Sequence, residues 1–244
     1  MKAMILAAGL GTRLRPLTDD RPKALVEVAG RTLLEITLTR LKWVGVGEVM
    51  INVHHFADMV VDYLKAHQNF GMRVEISRED VLLDTGGGLK KAAHFFLESP
   101  EEPFFVHNVD VISNIDLNRM IEAHRETKAL ATLAVQDRET SRYLLFDEGL
   151  QLCGRRLGRE GTAELVRAPA RLHALAFAGI HVISPRLFSL MTEEGAFSII
   201  TAYLRLAAQR ERILGFRADG FYWRDLGKPE SVKKAAEDME RTGI

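Results

Sequence analysis

A chain of 244 residues with 47% hydrophobic and 27% charged content can bury a sizeable core as one large domain, or at most two small ones. Its 33 Lys and Arg balance 33 Asp and Glu, so no electrostatic footprint points to a nucleic-acid partner. A lone cysteine, Cys153, excludes an intrachain disulfide and has no obvious activating neighbour. With no run of membrane-spanning length and no separate signal peptide, the composition predicts a soluble, cytoplasmic protein without a membrane partner.

Met4 to Ala8 is a short apolar run of the right length for a buried strand. It ends at Gly9, and Gly11 follows, so the backbone can turn sharply with its N–H groups facing one concavity. Thr12 adds a hydroxyl, Arg13 and Arg15 add guanidinium forks, and Lys23 follows Pro22. A strand running into such a turn suits a polyphosphate. Val26 to Val28 can pair briefly, and Ala29-Gly30 turns the chain. Thr32 can cap a helix carrying Leu33, Leu34, Ile36, Leu38 and Leu41. Glu48 to Val53 reads as a strand with His54 and His55 just beyond it, Ala57 to His67 as a helix, and Met72 to Ser77 as an alternating strand.

A loop from Leu82 to Gly88 leads into a helix predicted over Leu89 to Leu97. Pro103 to Val109 is an apolar strand ending at Asp110; Leu117 to Thr127 reads as a helix, with strands at Ala129 to Val135 and Tyr143 to Phe146. Gly154 to Arg171 has no clean period and holds five arginines, which reads as a mobile flap or a solvated loop. Leu172 to Ile183 is a long strand interrupted by Gly179, where a bulge or close ligand approach is expected. Ser198 can cap a helix through Ala207, Ile213 to Phe216 is a strand, and Val232, Ala235, Ala236 and Met239 mark a last helix with Pro229 near its first turn. Strands alternating with helices predict an α/β domain with a mixed, mostly parallel sheet covered on both faces. Ligands then bind beyond the carboxyl ends of strands, where Gly9, His54, Asp84 and Asp110 all fall.

The opening stretch lacks the third glycine of the dinucleotide fingerprint and the Gly-Lys-Ser/Thr of a Walker A loop. Gly9, Gly11, Thr12, Arg13, Pro16 and Thr18, followed by Pro22, Lys23 and Leu25, resemble instead the G-x-G-T-R-x-x-P-x-T…P-K-x-L signature of the sugar-1-phosphate nucleotidyltransferases. Asn108-x-Asp110 and Trp223-x-Asp225-Leu226-Gly227 resemble that family's two metal-binding segments. Asp84-Thr85-Gly86-Gly87-Gly88 resembles its second glycine loop, as written in the branch near uridylyltransferases of N-acetylmuramic acid 1-phosphate; Asp84 or Thr85 also reads as a helix N-cap. Phe177 to Ile180 resembles the sugar-lining strand.

The resemblance runs from Lys2 to about Ala235 and implies one Rossmann-like, GT-A-like domain over residues 1–244, without the C-terminal β-helix domain of some relatives. It implies transfer of a nucleotidyl group from a nucleoside triphosphate to a sugar 1-phosphate, with Mg²⁺ on Asp110 and Asp225. Arg13, Lys23 and Asp110 are the implied catalytic residues; Ala7, Ala8, Gly9, Gly11, Thr12, Arg13, Asp84, Thr85, Gly86, Gly87 and Asn108 are implied to hold the nucleotide, and Gly179 and Asn108 the sugar. His54 and His55 are candidates for the same mouth. Uracil is the base first suggested by the second glycine loop, guanine with mannose 1-phosphate the next. Cytidylyl transfer to phosphocholine and a catalytically silent nucleotide binder are further alternatives. The sequence departs from the family at Val109, where Gly or Ser is usual and bulk is expected to narrow the sugar site. It also departs in lacking an E-K-P segment, whose lysine Arg155 or Arg156 is expected to replace.

Overall fold

The structure, a computed structural model, describes residues 1–242. In chain order its elements are β1 (Lys2–Leu6), β2 (Glu27–Val28), β3 (Arg31–Thr32), α1 (Leu33–Trp43), β4 (Glu48–Val53), α2 (Ala57–Ala66), β5 (Arg73–Arg78), α3 (Asp84–Lys91), α4 (Ala93–Leu97), β6 (Phe104–Asn108) and β7 (Val111–Ser113). There follow α5 (Leu117–Thr127), β8 (Ala131–Gln136), β9 (Arg142–Phe146), β10 (Leu152–Leu157), β11 (Ala163–Leu165), β12 (His173–Ile183), α6 (Leu187–Leu190), α7 (Ile199–Ala208), β13 (Ile213–Arg217), β14 (Trp223–Asp225) and α8 (Pro229–Thr242). Caps form where short polar side chains precede apolar runs. Thr32 Oγ1 accepts from Glu35 N at 3.1 Å and Ser198 Oγ from Ile200 N at 3.3 Å.

Ten strands form one mixed sheet in the path β11-β10-β9-β12-β6-β1-β4-β5, with β8 also on β12 and β13 on β8. The strands β1, β4, β5 and β6 pair in parallel, as do β8 and β13. Only β10 and β12 run against the other eight. Alternation sends successive side chains to opposite faces: Ala3 and Ile5 join a core with α1, α2, α5 and α8, whereas Met4 joins a second core with α3, α4 and α7. Helices therefore cover both faces, as expected.

Strand β12 organises the site. Its first half pairs with β9 up to Ala176↔Tyr143, its second half with β6 from Ile180↔His107 onward, and β8 runs along its other edge. Phe177, Ala178 and Gly179 thus have no strand neighbour on the β6/β9 edge, which leaves a notch between those two strand ends. The register of β8 on β12 shifts between Phe177 and His181, the bulge that Gly179 signalled.

Two expectations need correction. The stretch Asp84 to Gly88 is not a loop before the helix but the first turns of α3, which breaks at Ala92 before α4. Residues 154–171 are not structureless: β10 and β11 form an antiparallel pair there. Their exposure, alternating poorly around Gly154, hid the period, because an edge hairpin is not obliged to bury a face. Cys153 is buried on β10 and its thiol is pushed up by burial, which makes it inert.

Candidate functional site

Parallel strands end together, so their following residues share one rim. Beyond β1 lie Ala7 to Gly9, beyond β6 lie Val109 and Asp110, and beyond β5 lies Glu79. With Leu6, Lys23, Asn52, Leu82, Asp84, Thr85 and Asn108 they line a cleft of about 360 Å³. A buried polar network fixes its floor. Ala7 N donates to Asn52 Oδ1 at 2.8 Å, Asn52 Nδ2 to Glu79 Oε1 at 2.8 Å, and Leu83 N to Glu79 Oε2 at 3.0 Å. Asn52 and Glu79 are buried, so each polar atom satisfied here avoids a desolvation cost.

Gly11 opens the glycine turn with φ +66°, a conformation that L side chains rarely adopt, and a Cβ there would lie 3.0 Å from Thr18 Cγ2. Thr18 Oγ1 donates to Gly11 O at 2.9 Å and pins the turn. Thr12 and Arg13 remain exposed on a short 3₁₀ turn. A second such turn, Lys23–Leu25, delivers Lys23 into the cleft, where its ammonium donates to Asp110 Oδ2. Both side chains are only 13% exposed, so this charge pair is shielded from solvent.

Asp225 reaches the same place from the far end of the chain. Strand β14 pairs with β7 so that Asp225 opposes Val111, and Leu226 N donates to Asp110 O at 2.8 Å. A Cβ on Gly227 would stand 2.6 Å from Asp225 Oδ1 and 2.9 Å from an Arg13 nitrogen, so Arg13 packs beside this carboxylate. On this adjoining backbone Asp110 lines the first cleft and Asp225 a second one, and among the described residues there is no group of three or more His, Cys, Asp or Glu able to hold a metal. Such a pair suits a hard divalent cation whose remaining ligands are water and substrate phosphate.

The notch opens a second cleft, of about 730 Å³. Its backbone carbonyls are covered by side chains: Arg138 Nη2 donates to Phe177 O at 2.9 Å and Trp223 Nε1 to Ala178 O at 2.7 Å. The Arg138 guanidinium stacks 3.6 Å from the Trp223 ring centroid. Gly179 has φ +74°, and a Cβ there would meet Asn108 Nδ2 at 2.9 Å. Arg13, Arg138, Arg142, Arg155 and Arg156 line this cleft against the two acids Glu164 and Asp225, and Asn108 borders both clefts.

Residues 2–242 match the family model described as "Nucleotidyl transferase". The chain belongs to the nucleotidyl transferase family. It is 38% identical to the N-acetylmuramate alpha-1-phosphate uridylyltransferase of Caulobacter vibrioides, over 96% of this chain and 95% of that one. It is 30% identical to a mannose-1-phosphate guanyltransferase of Yarrowia lipolytica, over 94% of this chain and 61% of that longer protein. Among solved structures, HddC from Yersinia pseudotuberculosis complexed with GMP-PN shares the fold at TM-score 0.77 and 24% identity, covering 98% of this chain and 99% of that one.

The fold of this nucleotidyltransferase brings together Ala7, Ala8, Gly9, Lys23, Asp84, Thr85, Asn108 and Asp110 in the first cleft, and Arg13, Asn108, Gly179 and Asp225 in the second. It does not bring Gly86 and Gly87 to the lining. Both are buried, both donate to Phe197 O, at 2.9 and 3.3 Å, and a Cβ on Gly86 would meet the Phe197 ring at 2.3 Å. His54 Nδ1 lies 2.7 Å from Glu79 O and the His55 ring is tilted against that of Phe56, and neither lines a cleft. Val109 is buried and lines the first cleft but not the second. Sequence reasoning missed Asn52, Glu79, Arg138, Tyr143 and the Trp223 ring; Trp223 was in hand only as the flank of Asp225.

Proposed function

We propose that this enzyme transfers the uridylyl group of UTP to an N-acetylmuramate-type sugar 1-phosphate, releasing pyrophosphate, with Mg²⁺ on Asp110 and Asp225. The observation that carries the reading is the meeting of a nucleotide-sized cleft, lined by Lys23 and Asp110, with an arginine-lined cleft at Asn108. The base and ribose take the first cleft against Leu82, Asp84 and Thr85. The acceptor takes the second. Bound Mg²⁺ supplies charge neutralisation between two anionic substrates and a fixed template for their phosphates.

A phosphate oxygen of the acceptor forms a bond to the α-phosphorus, and the bond to the oxygen bridging the α- and β-phosphates breaks. The acceptor phosphate is already ionised near neutral pH, so no base has to remove a proton from it. Catalysis then rests on positioning and electrostatics. Lys23 is held beside Asp110 and provides a compact cation for the reacting phosphates. The Gly9–Arg13 turn leads Arg13 to the departing pyrophosphate. An excess of arginines favours an anionic acceptor over the quaternary ammonium of phosphocholine, which binds through aromatic faces and acids.

The test is pyrophosphate release with Mg²⁺, using UTP, GTP, CTP and dTTP against N-acetylmuramate, mannose, glucose and N-acetylglucosamine 1-phosphates. The fastest pair is expected to be UTP with the muramate. Preference for GTP and mannose 1-phosphate would replace this reading by the guanylyl one, and no release from any pair would leave a silent binder.

A further inference from the structure

Arg156 has no obvious employer in the chemistry just described. Its Nε is buried without a hydrogen-bond partner, and no acidic side chain pairs with it among the described residues. Its neighbour Arg155 is different: that side chain is tied to Glu164 at 2.6 Å. Arg156 as a whole is half-buried and its guanidinium lies 5.7 Å from the Tyr143 ring centroid, so a partly desolvated charge with no acid beside it favours a bound anion. Arg138 repeats the pattern: its Nε is also buried and unpartnered while another of its nitrogens holds Phe177 O. Both line the second cleft.

Register places Arg156 relative to the reacting phosphates. Arg156 opposes Tyr143 on β9, and Tyr143 opposes Ala176, the last β12 residue before the notch. Asn108, Asp110 and Asp225 lie across that notch, beyond β6 and on β14. An acceptor with its phosphate at Asp110 therefore presents to Arg156 the part of the sugar remote from the phosphate.

We infer that Arg156, with Arg138 beside the notch, forms a receptor for a second anionic group on the acceptor, a carboxylate carried by a substituent of the sugar ring. The planar fork of arginine matches a carboxylate bidentately, and charge-assisted bonds of this kind are the strong ones. The inference rests on the proposed acceptor class and assigns it a discriminating residue. N-acetylmuramate 1-phosphate carries such a carboxylate on its lactyl ether; N-acetylglucosamine 1-phosphate is the same hexosamine without it.

The experiment measures kcat and KM for both acceptors with wild type, Arg156→Gln and Arg156→Lys, with circular dichroism confirming folding. Arg156→Gln should lose about 10- to 100-fold in kcat/KM for the muramate, mostly through KM, and change little for the glucosamine. Arg156→Lys should fall between, because it restores charge without the fork. Equal losses on both acceptors would assign Arg156 to the phosphate or to the fold and overturn the inference. Calorimetric binding of the two sugar phosphates to the same proteins separates failures. If turnover is absent, so that the transfer reading falls, Arg156-dependent selectivity for the muramate still upholds the receptor, and equal binding of both sugars removes it.

Discussion

Gly179→Ala is the perturbation whose outcome the geometry constrains most tightly. Residue 179 has φ +74°, and an alanine in the left-handed region costs about 1–2 kcal/mol. Its Cβ would lie 2.9 Å from Asn108 Nδ2, 3.3 Å from Asn108 Cγ and 3.0 Å from Val111 Cγ2. Val111, the first residue of β7, is buried in the core and cannot retreat, whereas Asn108 ends β6 between two open clefts and can swing. Overpacking of this kind adds about 1–3 kcal/mol. The expected loss is therefore about 2–4 kcal/mol in chemical denaturation, together with a raised KM for the sugar phosphate as the Asn108 amide is displaced. Asn108→Ala in the same background removes the amide contact and leaves the backbone strain, so the double variant should regain roughly 1 kcal/mol of stability and no activity. Gly179→Ala within about 0.5 kcal/mol of wild type, with an unchanged acceptor KM, would refute the reasoning.

Two further outcomes are expected. Lys23→Ala should cut single-turnover kcat by about 10²–10³ while triphosphate binding by calorimetry survives, and Lys23→Arg should rescue poorly; equal losses in binding and turnover would reduce Lys23 to uniform affinity. Stability should fall with acid, because burial holds His107 and His181 down to about 3 and His124 to about 4. The unfolded chain takes up these protons from pH 6.5 downward and the folded one does not, so each histidine removes about 1 kcal/mol between pH 6.5 and 5.5; urea titrations that coincide at the two pH values would contradict it.

What the sequence discloses is local, and what it hides is long-range. The glycine turn and Asp110 stand just after apolar strands that a parallel sheet delivers to one rim, whereas Lys23 on a 3₁₀ turn and Asp225 on β14 against β7 were picked out only by the resemblance of their motifs. Thr32 and Ser198 were legible as caps because capping is settled within a turn. The β10–β11 hairpin was not, since its pairing to β9 is cross-strand and its edge carries arginines on both faces. Nor were Asn52 and Glu79: they sit in ordinary-looking strand ends, and only the approach of Ala7 and Leu83 makes them a floor. Arg138 and Trp223 come together from 85 residues apart over a carbonyl pair exposed by the notch, which no periodicity reveals.

The same physics explains why Asp84-Thr85-Gly86-Gly87-Gly88 needs its glycines without presenting all of them to a ligand. Phe197 N donates to Leu83 O, Gly86 N and Gly87 N return to Phe197 O, and Ile199 N donates to Thr85 Oγ1. A Cβ on Gly87 would come within 2.3 Å of Gly195 O, and one on Gly88 within 2.6 Å of Glu79 Oε1. Three side-chain-free positions thus let the start of α3 close onto the segment before α7 on one side and onto the floor carboxylate on the other. That segment continues into Ser198 and Ile200, which line the second cleft. One stretch of backbone therefore positions Asp84 and Thr85 on the first cleft and part of the wall of the second. A substitution that moves Phe197 shifts the walls of both clefts together.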